Sequence, residues 1–339
     1  MKNTNANNNK NKKGKTAEKN GQNGVFKALL DKPTRENSSG LAFSFAAMFM
    51  FGLSLIISLI LTFSGFNPVT DSNKDWYLYI SYAIAPVALF LGSFWYFHRT
   101  KKSVLSMIKV QKCHWKYYFI ALALQIGLFS VSYVNTLFAE LLEGWGYKTP
   151  DVNTPSLDGF GIVGVLFVVA VLPAVFEEFF FRGVMLDGAY AYGTAGAALL
   201  CGGLFAVYHQ NPVQTIYQFC WGAAFALMAI RAGSVLPTMV AHFVNNATII
   251  ILQKCLPQNT ELDIPLPVFI PIIILSALCL LGTLTYLIFM DKNKLPSGDN
   301  ELTLEEKKSK RAVFILGAMI GVLICFVNWA SAFYTGFAG

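Results

Sequence analysis

Two adjacent carboxylates and a guanidinium stand where charge is expensive. In VVAVLPAVFEEFFFRGVMLDG, residues 168–188, Glu177 and Glu178 are followed four positions after the second by Arg182, within an otherwise apolar run. On a helix Glu178 and Arg182 share a face and can form a charge-assisted pair, whereas Glu177 points about 100° away from Glu178. Arginine can thus tie down one carboxylate and leave the other free for chemistry. A carboxylate in a low-dielectric site is a usable general base near neutral pH. Pro173, one turn upstream, removes a backbone donor and favours a kink that would open the helix beside the pair.

Two further polar pairs follow. In GGLFAVYHQNP, Phe205 and His209 lie one turn apart, and in VLPTMVAHFVNNATII, His242 and Asn246 are also spaced by four. Imidazole takes or gives a proton, and His and Asn donate hydrogen bonds to an oxygen on which negative charge develops. Each group has a plainer alternative: the Glu178–Arg182 pair as a bridge that only locks helix packing, and each histidine as a hydrogen-bonded packing residue. Three helices that each deliver polar groups to one centre argue for a site.

The elements that must position these groups are membrane helices. The chain has 339 residues, 55% of them hydrophobic and only 13% charged, above the usual soluble range. Apolar runs long enough to cross a hydrocarbon core lie near 41–65, 76–98, 116–139, 159–187, 194–209, 213–231, 234–253, 265–290 and 312–335. The expected fold is therefore an all-α polytopic membrane helical bundle of about nine transmembrane helices, eight if the short fifth run does not cross.

Ionisable groups inside such spans cost several kcal/mol unless paired or wet, which makes the three motifs functional suspects. Residues 1–36, Asn- and Lys-rich, cannot bury enough surface to order and are expected to form a disordered cytoplasmic tail. Residues 37–154 then supply N-terminal transmembrane helices and 155–255 a catalytic core. Residues 256–339 supply C-terminal helices with a basic cytoplasmic loop at 291–311.

Lys and Arg mark the cytoplasmic loops. Arg99, Lys101, Lys102, Lys109, Lys112 and Lys116 crowd the second connection, and Lys292, Lys294, Lys307, Lys308, Lys310 and Arg311 the eighth, whereas Lys74, Lys148 and Lys254 stand alone in alternate ones. The N-terminus is expected in the cytoplasm and the protein in the plasma membrane. The net charge of +7 is accounted for by this bias, with no nucleic-acid site implied. Six scattered cysteines show no metal-ligand spacing. With the fourth run ending near Asp187, Glu177 falls ~15 Å from the cytoplasmic side, so the expected cavity opens to the cytosol.

Taken together and in this order, Glu177-Glu178-x-x-x-Arg182, Phe205-x-x-x-His209 and His242-x-x-x-Asn246 resemble the CPBP family, also called the Abi or CAAX-protease family. The resemblance implies an intramembrane endopeptidase acting on membrane-associated or CAAX-like peptides or proteins. In it Glu177 activates water, and His209 assists or binds a metal. His242 and Asn246 stabilise the oxyanion or complete the site, and Glu178 with Arg182 holds the first motif in shape.

The cofactor stays open. Glu177, His209 and His242 supply the one carboxylate and two imidazoles that a catalytic zinc often uses. Yet no Asp or Glu flanks either histidine in sequence to orient its ring, and Asn246 is a better oxyanion donor than zinc ligand. A metal-free glutamate mechanism is slightly favoured on those grounds. No HExxH or GxSxG motif offers another hydrolytic centre. The competing readings are a polytopic transporter, for which paired broken-helix halves are missing, and a catalytically silent membrane scaffold.

Overall fold

The computed structural model describes residues 33–66, 71, 74–103, 112–150, 153–256, 265–293 and 302–338. Among them every regular element is a helix. The first three are α1 (Arg35–Phe63), α2 (Asp75–Thr100) and α3 (Lys116–Gly144). In the composite α4, α-helical Gly161–Val165, Leu172–Glu178 and Leu186–Ala189 alternate with π-helical Leu166–Val171 and Phe179–Met185. A 3-10 turn at Tyr190–Tyr192 leads into α5 (Gly193–His209), followed by α6 (Thr215–Ala232), α7 (Leu236–Cys255), α8 (Leu266–Met290) and α9 (Leu304–Ala338).

Each apolar run of the sequence is helical, but the expected count of about nine spans does not stand as such. Six helices of the described residues are long and apolar enough to cross a membrane: α1, α2, α3, the joined run Gly161–His209, α8 and α9. Outside that count fall α6, which carries Gln218 and Arg231, and α7, which carries His242, Asn245 and Asn246. Their polarity comes from the same residues that line the interior described below.

Cross-links between helix ends order the bundle. At one end Asp187 of α4 accepts from Tyr96 and Lys102 of the α2 end at 2.5 and 2.9 Å. There too Tyr117 at the start of α3 donates to Asp291 after α8 at 2.8 Å, and Lys310 of α9 pairs with Glu36 of α1 at 2.8 Å. At the other end Ser156 binds Asp75 at the start of α2, and Lys254 at the end of α7 pairs with Asp158 at 2.6 Å. The described members of both Lys-rich connections thus gather at one end; Lys109 and Lys294 lie outside the described residues.

The expected tail needs a correction. Residues 1–32 lie outside the described residues, but Arg35 and Glu36 belong to α1. Thr34 caps it, with Asn37 returning the bond to the cap backbone in a capping box. The polar start RENSSG is buried because α4 and α9 cover it. Ser39 donates to the Val184 carbonyl at 2.8 Å, and Tyr190 and Lys310 both reach Glu36. Small residues permit the closest approach: a Cβ on Gly40 would stand 2.2 Å from the Phe314 carbonyl oxygen of α9. Large apolar side chains such as Phe94, Leu275 and Val327 face outward, as lipid-exposed surfaces require.

Candidate active site

Proline places the first motif. Pro173 has no N–H to give the carbonyl of Val169, four residues back, and the helix around that carbonyl widens into the π-helical stretch Leu166–Val171. The orphaned carbonyl is satisfied from another helix: Asn246 of α7 donates its side-chain amide to Val169 O at 2.9 Å. A sequence feature read only as a kink therefore anchors α7 to α4 about two turns before the two glutamates. A second π stretch, Phe179–Met185, begins directly after them.

The two glutamates diverge. Glu178 is fully buried; its Oε1 lies 3.0 Å from Arg182 Nη1 and 3.2 Å from His242 Nδ1. Arg182, 2% exposed, also donates from Nη2 to the Gly222 carbonyl at 3.3 Å. Its guanidinium carbon sits 4.6 Å from the Phe205 ring centroid and 5.0 Å from that of Trp221. Glu177 is only half buried. It makes no hydrogen bond or ion pair among the described residues, and it lines a cavity of about 320 Å³ together with His209, His242 and Asn246.

Ring orientation follows from the partners. His209 Nδ1 lies 2.8 Å from the Phe205 carbonyl oxygen, which can only accept, so Nδ1 carries the proton and Nε2 is the nitrogen left for the cavity. Glu178 fixes His242 in the same way through Nδ1. The sequence shows no acidic neighbour for either histidine because the orienting acceptors are a carboxylate 64 positions away and a backbone carbonyl. The objection that nothing would orient the rings is thereby corrected.

Zinc nevertheless finds no ligand set. Glu177, His209 and His242 share one cavity, but no group of three or more His, Cys, Asp or Glu among the described residues is placed to hold a metal ion. The donors present do not fit a metal of that type, and the metal set expected from the sequence is not carried further.

Sequence reasoning missed the residues that frame the cavity. Trp221 donates to Gln125 Oε1 at 2.8 Å, and Gln125 Nε2 donates to Asn245 Oδ1 at 2.7 Å. Asn245 in turn donates to Asn246 Oδ1 at 3.0 Å. This chain of bonds crosses from α6 through α3 to α7, and at Val169 to α4. Trp221 also meets His242 edge-on at 4.6 Å between centroids and stacks on Phe205 at 5.1 Å. A signal existed: a lone glutamine in ALALQIGLFS and an Asn doublet in HFVNNATII are costly in lipid unless partnered.

Part of the cavity lining lies toward the end of the bundle opposite the Lys-rich one. Helix α5 runs its full 17 residues, ~25 Å at 1.5 Å per residue, away from the Lys-rich end before reaching His209. Tyr217 and Gln218, in the wall, stand in the first turn of α6, and Tyr82, early in α2, donates to the Asn153 carbonyl at 2.8 Å.

Neither the curated proteins nor the solved structures contain a match to this chain. Residues 159–248 do match the family model described as type II CAAX prenyl endopeptidase Rce1-like, a stretch that holds all seven motif residues. Over that core, which unites the divergent glutamates with the two oriented histidines, the chain is similar to the type II CAAX prenyl endopeptidase Rce1-like family.

Proposed function

We propose that the protein is an intramembrane endopeptidase that hydrolyses peptide bonds of membrane-associated peptides through a water activated by Glu177. The observation that carries this reading is the split between neighbouring carboxylates. Glu178 is buried between Arg182 and His242, while Glu177 stands free on the cavity wall beside His209. A purely structural pair needs only one glutamate. A second, unpaired one in an apolar helix is unfavourable unless it works.

In this account a water rests between Glu177 and His209 Nε2, and Glu177 takes its proton as the oxygen attacks the carbonyl carbon. The negative charge that forms on the carbonyl oxygen is received by the second amide N–H of Asn246, beside His242, whose ring the Glu178 carboxylate orients. When the tetrahedral species collapses, the proton held by Glu177 passes to the departing amine nitrogen. Carboxyl and amine termini result, with no atom unaccounted for. Residues 155–255 form the catalytic core in this reading, flanked by helices of 37–154 and 256–339.

The reading puts the protein in the plasma membrane with a cytoplasmic N-terminus, and the Lys-rich end of the bundle supports that orientation. That orientation puts this part of the cavity lining on the outer half, where membrane peptides are better placed to enter than cytosolic CAAX termini. The test uses purified wild type and Glu177→Gln in liposomes with a pool of quenched peptides. New amino termini from wild type alone are the expected result. Uptake of intact peptide without new termini would replace the reading with transport.

A further inference from the structure

The catalytic cavity does not end at Asn245 and Asn246. Those two residues, with Tyr82, Val169, Tyr217 and Gln218, are shared with a larger cavity of about 830 Å³ between α3 and α7, which reaches Thr154 and Gln253 at the rim. The Gln125–Asn245 bond closes its floor. On α3 the wall is Gln125, Phe129, Ser132 and Asn135, spaced to fall on one helix face. No Asp, Glu, Lys, Arg or His lines this groove among the described residues.

Carboxamides occur in numbers, and several retain spare capacity. Asn135 uses Oδ1 to accept from the Tyr217 backbone, leaving its amide N–H groups. Gln214 accepts from Gln218 at 3.3 Å, which leaves donors on Gln214 and an acceptor on Gln218. Gln253 donates to Thr154 and keeps its oxygen. Donors and acceptors of this kind, set in an apolar wall of Ile126, Phe129 and Leu252, match the alternating N–H and C=O of an extended backbone rather than a charged group or a hydrocarbon chain.

We propose that the α3–α7 groove binds an extended, uncharged segment of the substrate and selects peptides whose side chains there carry no charge. The inference rests on the peptidase reading above and names the substrate class for it. Gln125 and Asn135 are ten residues apart, ~15 Å along the helix. At about 3.3 Å per residue that length holds roughly four residues of extended chain. On the far side of the catalytic cavity, Ser81 and Ala85 are shared with a third cavity of about 240 Å³ between α1 and α2. A chain lying in the groove therefore has room to continue past Glu177, as cleavage of an internal bond requires.

The test uses the full-length Glu177→Gln chain in lipid nanodiscs and a photoreactive nonapeptide of Ala, Leu, Val and Asn bearing one diazirine leucine. Cross-links should map to 125–135 and 245–253. The double variant Asn135→Leu, Gln218→Leu should reduce labelling about tenfold, the scale of lost amide pairing. Phe129→Trp, which keeps the wall apolar but fills the groove, should do the same. A peptide with two central lysines should label about tenfold less. Cross-links outside those stretches, or equal labelling by the lysine peptide, would overturn the proposal. Wild type is assayed in parallel for new termini from the same peptide. Groove labelling without cleavage keeps the groove and removes the peptidase reading, whereas cleavage without groove labelling does the reverse.

Discussion

Removal of Arg182 should damage the fold far more than removal of Glu177. Arg182 holds Glu178 at 3.0 Å, binds the Gly222 carbonyl and lies against the faces of Phe205 and Trp221. Arg182→Met fills much of the same volume but leaves a fully buried carboxylate with His242 as its remaining partner among the described residues. Breaking a buried pair from one side costs ~3–5 kcal/mol, whereas replacing both partners with neutral groups is often nearly neutral. The double variant Glu178→Gln, Arg182→Met should therefore recover a large part of the loss, with a coupling of about 2–3 kcal/mol. Glu177→Gln removes no pairing and should shift stability by less than about 0.5 kcal/mol. Equilibrium unfolding in mixed detergent micelles measures wild type, Arg182→Met, Glu178→Gln, their double variant and Glu177→Gln. Equal losses for Arg182→Met and Glu177→Gln, or additive losses in the double variant, would refute the division between an architectural and a reactive carboxylate.

Two further outcomes follow from particular contacts. Asn246→Leu strands the Val169 carbonyl at a cost of ~1–3 kcal/mol; adding Pro173→Ala restores an N–H four residues on, so the double variant should be more stable in the same unfolding assay than Asn246→Leu alone. At the rim, Lys254 holds the Asp158 carboxyl below its ordinary range. A depressed folded value means that this contribution is present above about pH 3.9 and fades as pH falls through the lower folded value. The protection factors of residues 153–160, taken against the intrinsic exchange rate at each pH, should thus fall below pH ~3.9, and also at high salt because the pair is exposed.

Much of the bundle was legible because lipid leaves only helices as an option, so apolar length alone marked each rod. Polarity misled where it was buried. Arg35 and Glu36 read as tail, yet they open α1, because the burial of Glu36 depends on its pairing with Lys310 of α9, far along the chain. In the site, the four-residue spacing of Glu178 and Arg182 disclosed their pairing, since both partners sit on one helix. The orientation of His242 by Glu178 and the Gln125–Asn245 bond join separate helices, and nothing in local spacing carries such a contact. The bounds of α5 were legible as well, since the expected run 194–209 coincides with Gly193–His209.

The most direct measurement compares the membrane peptides of cells that carry wild type, Glu177→Gln or no copy of the protein, with the variant's abundance and thermal stability matched to wild type. The account predicts that wild type alone generates a set of shortened peptides, and that cells with Glu177→Gln are indistinguishable from cells with none. Shortened peptides at wild-type levels from a folded Glu177→Gln protein would contradict it.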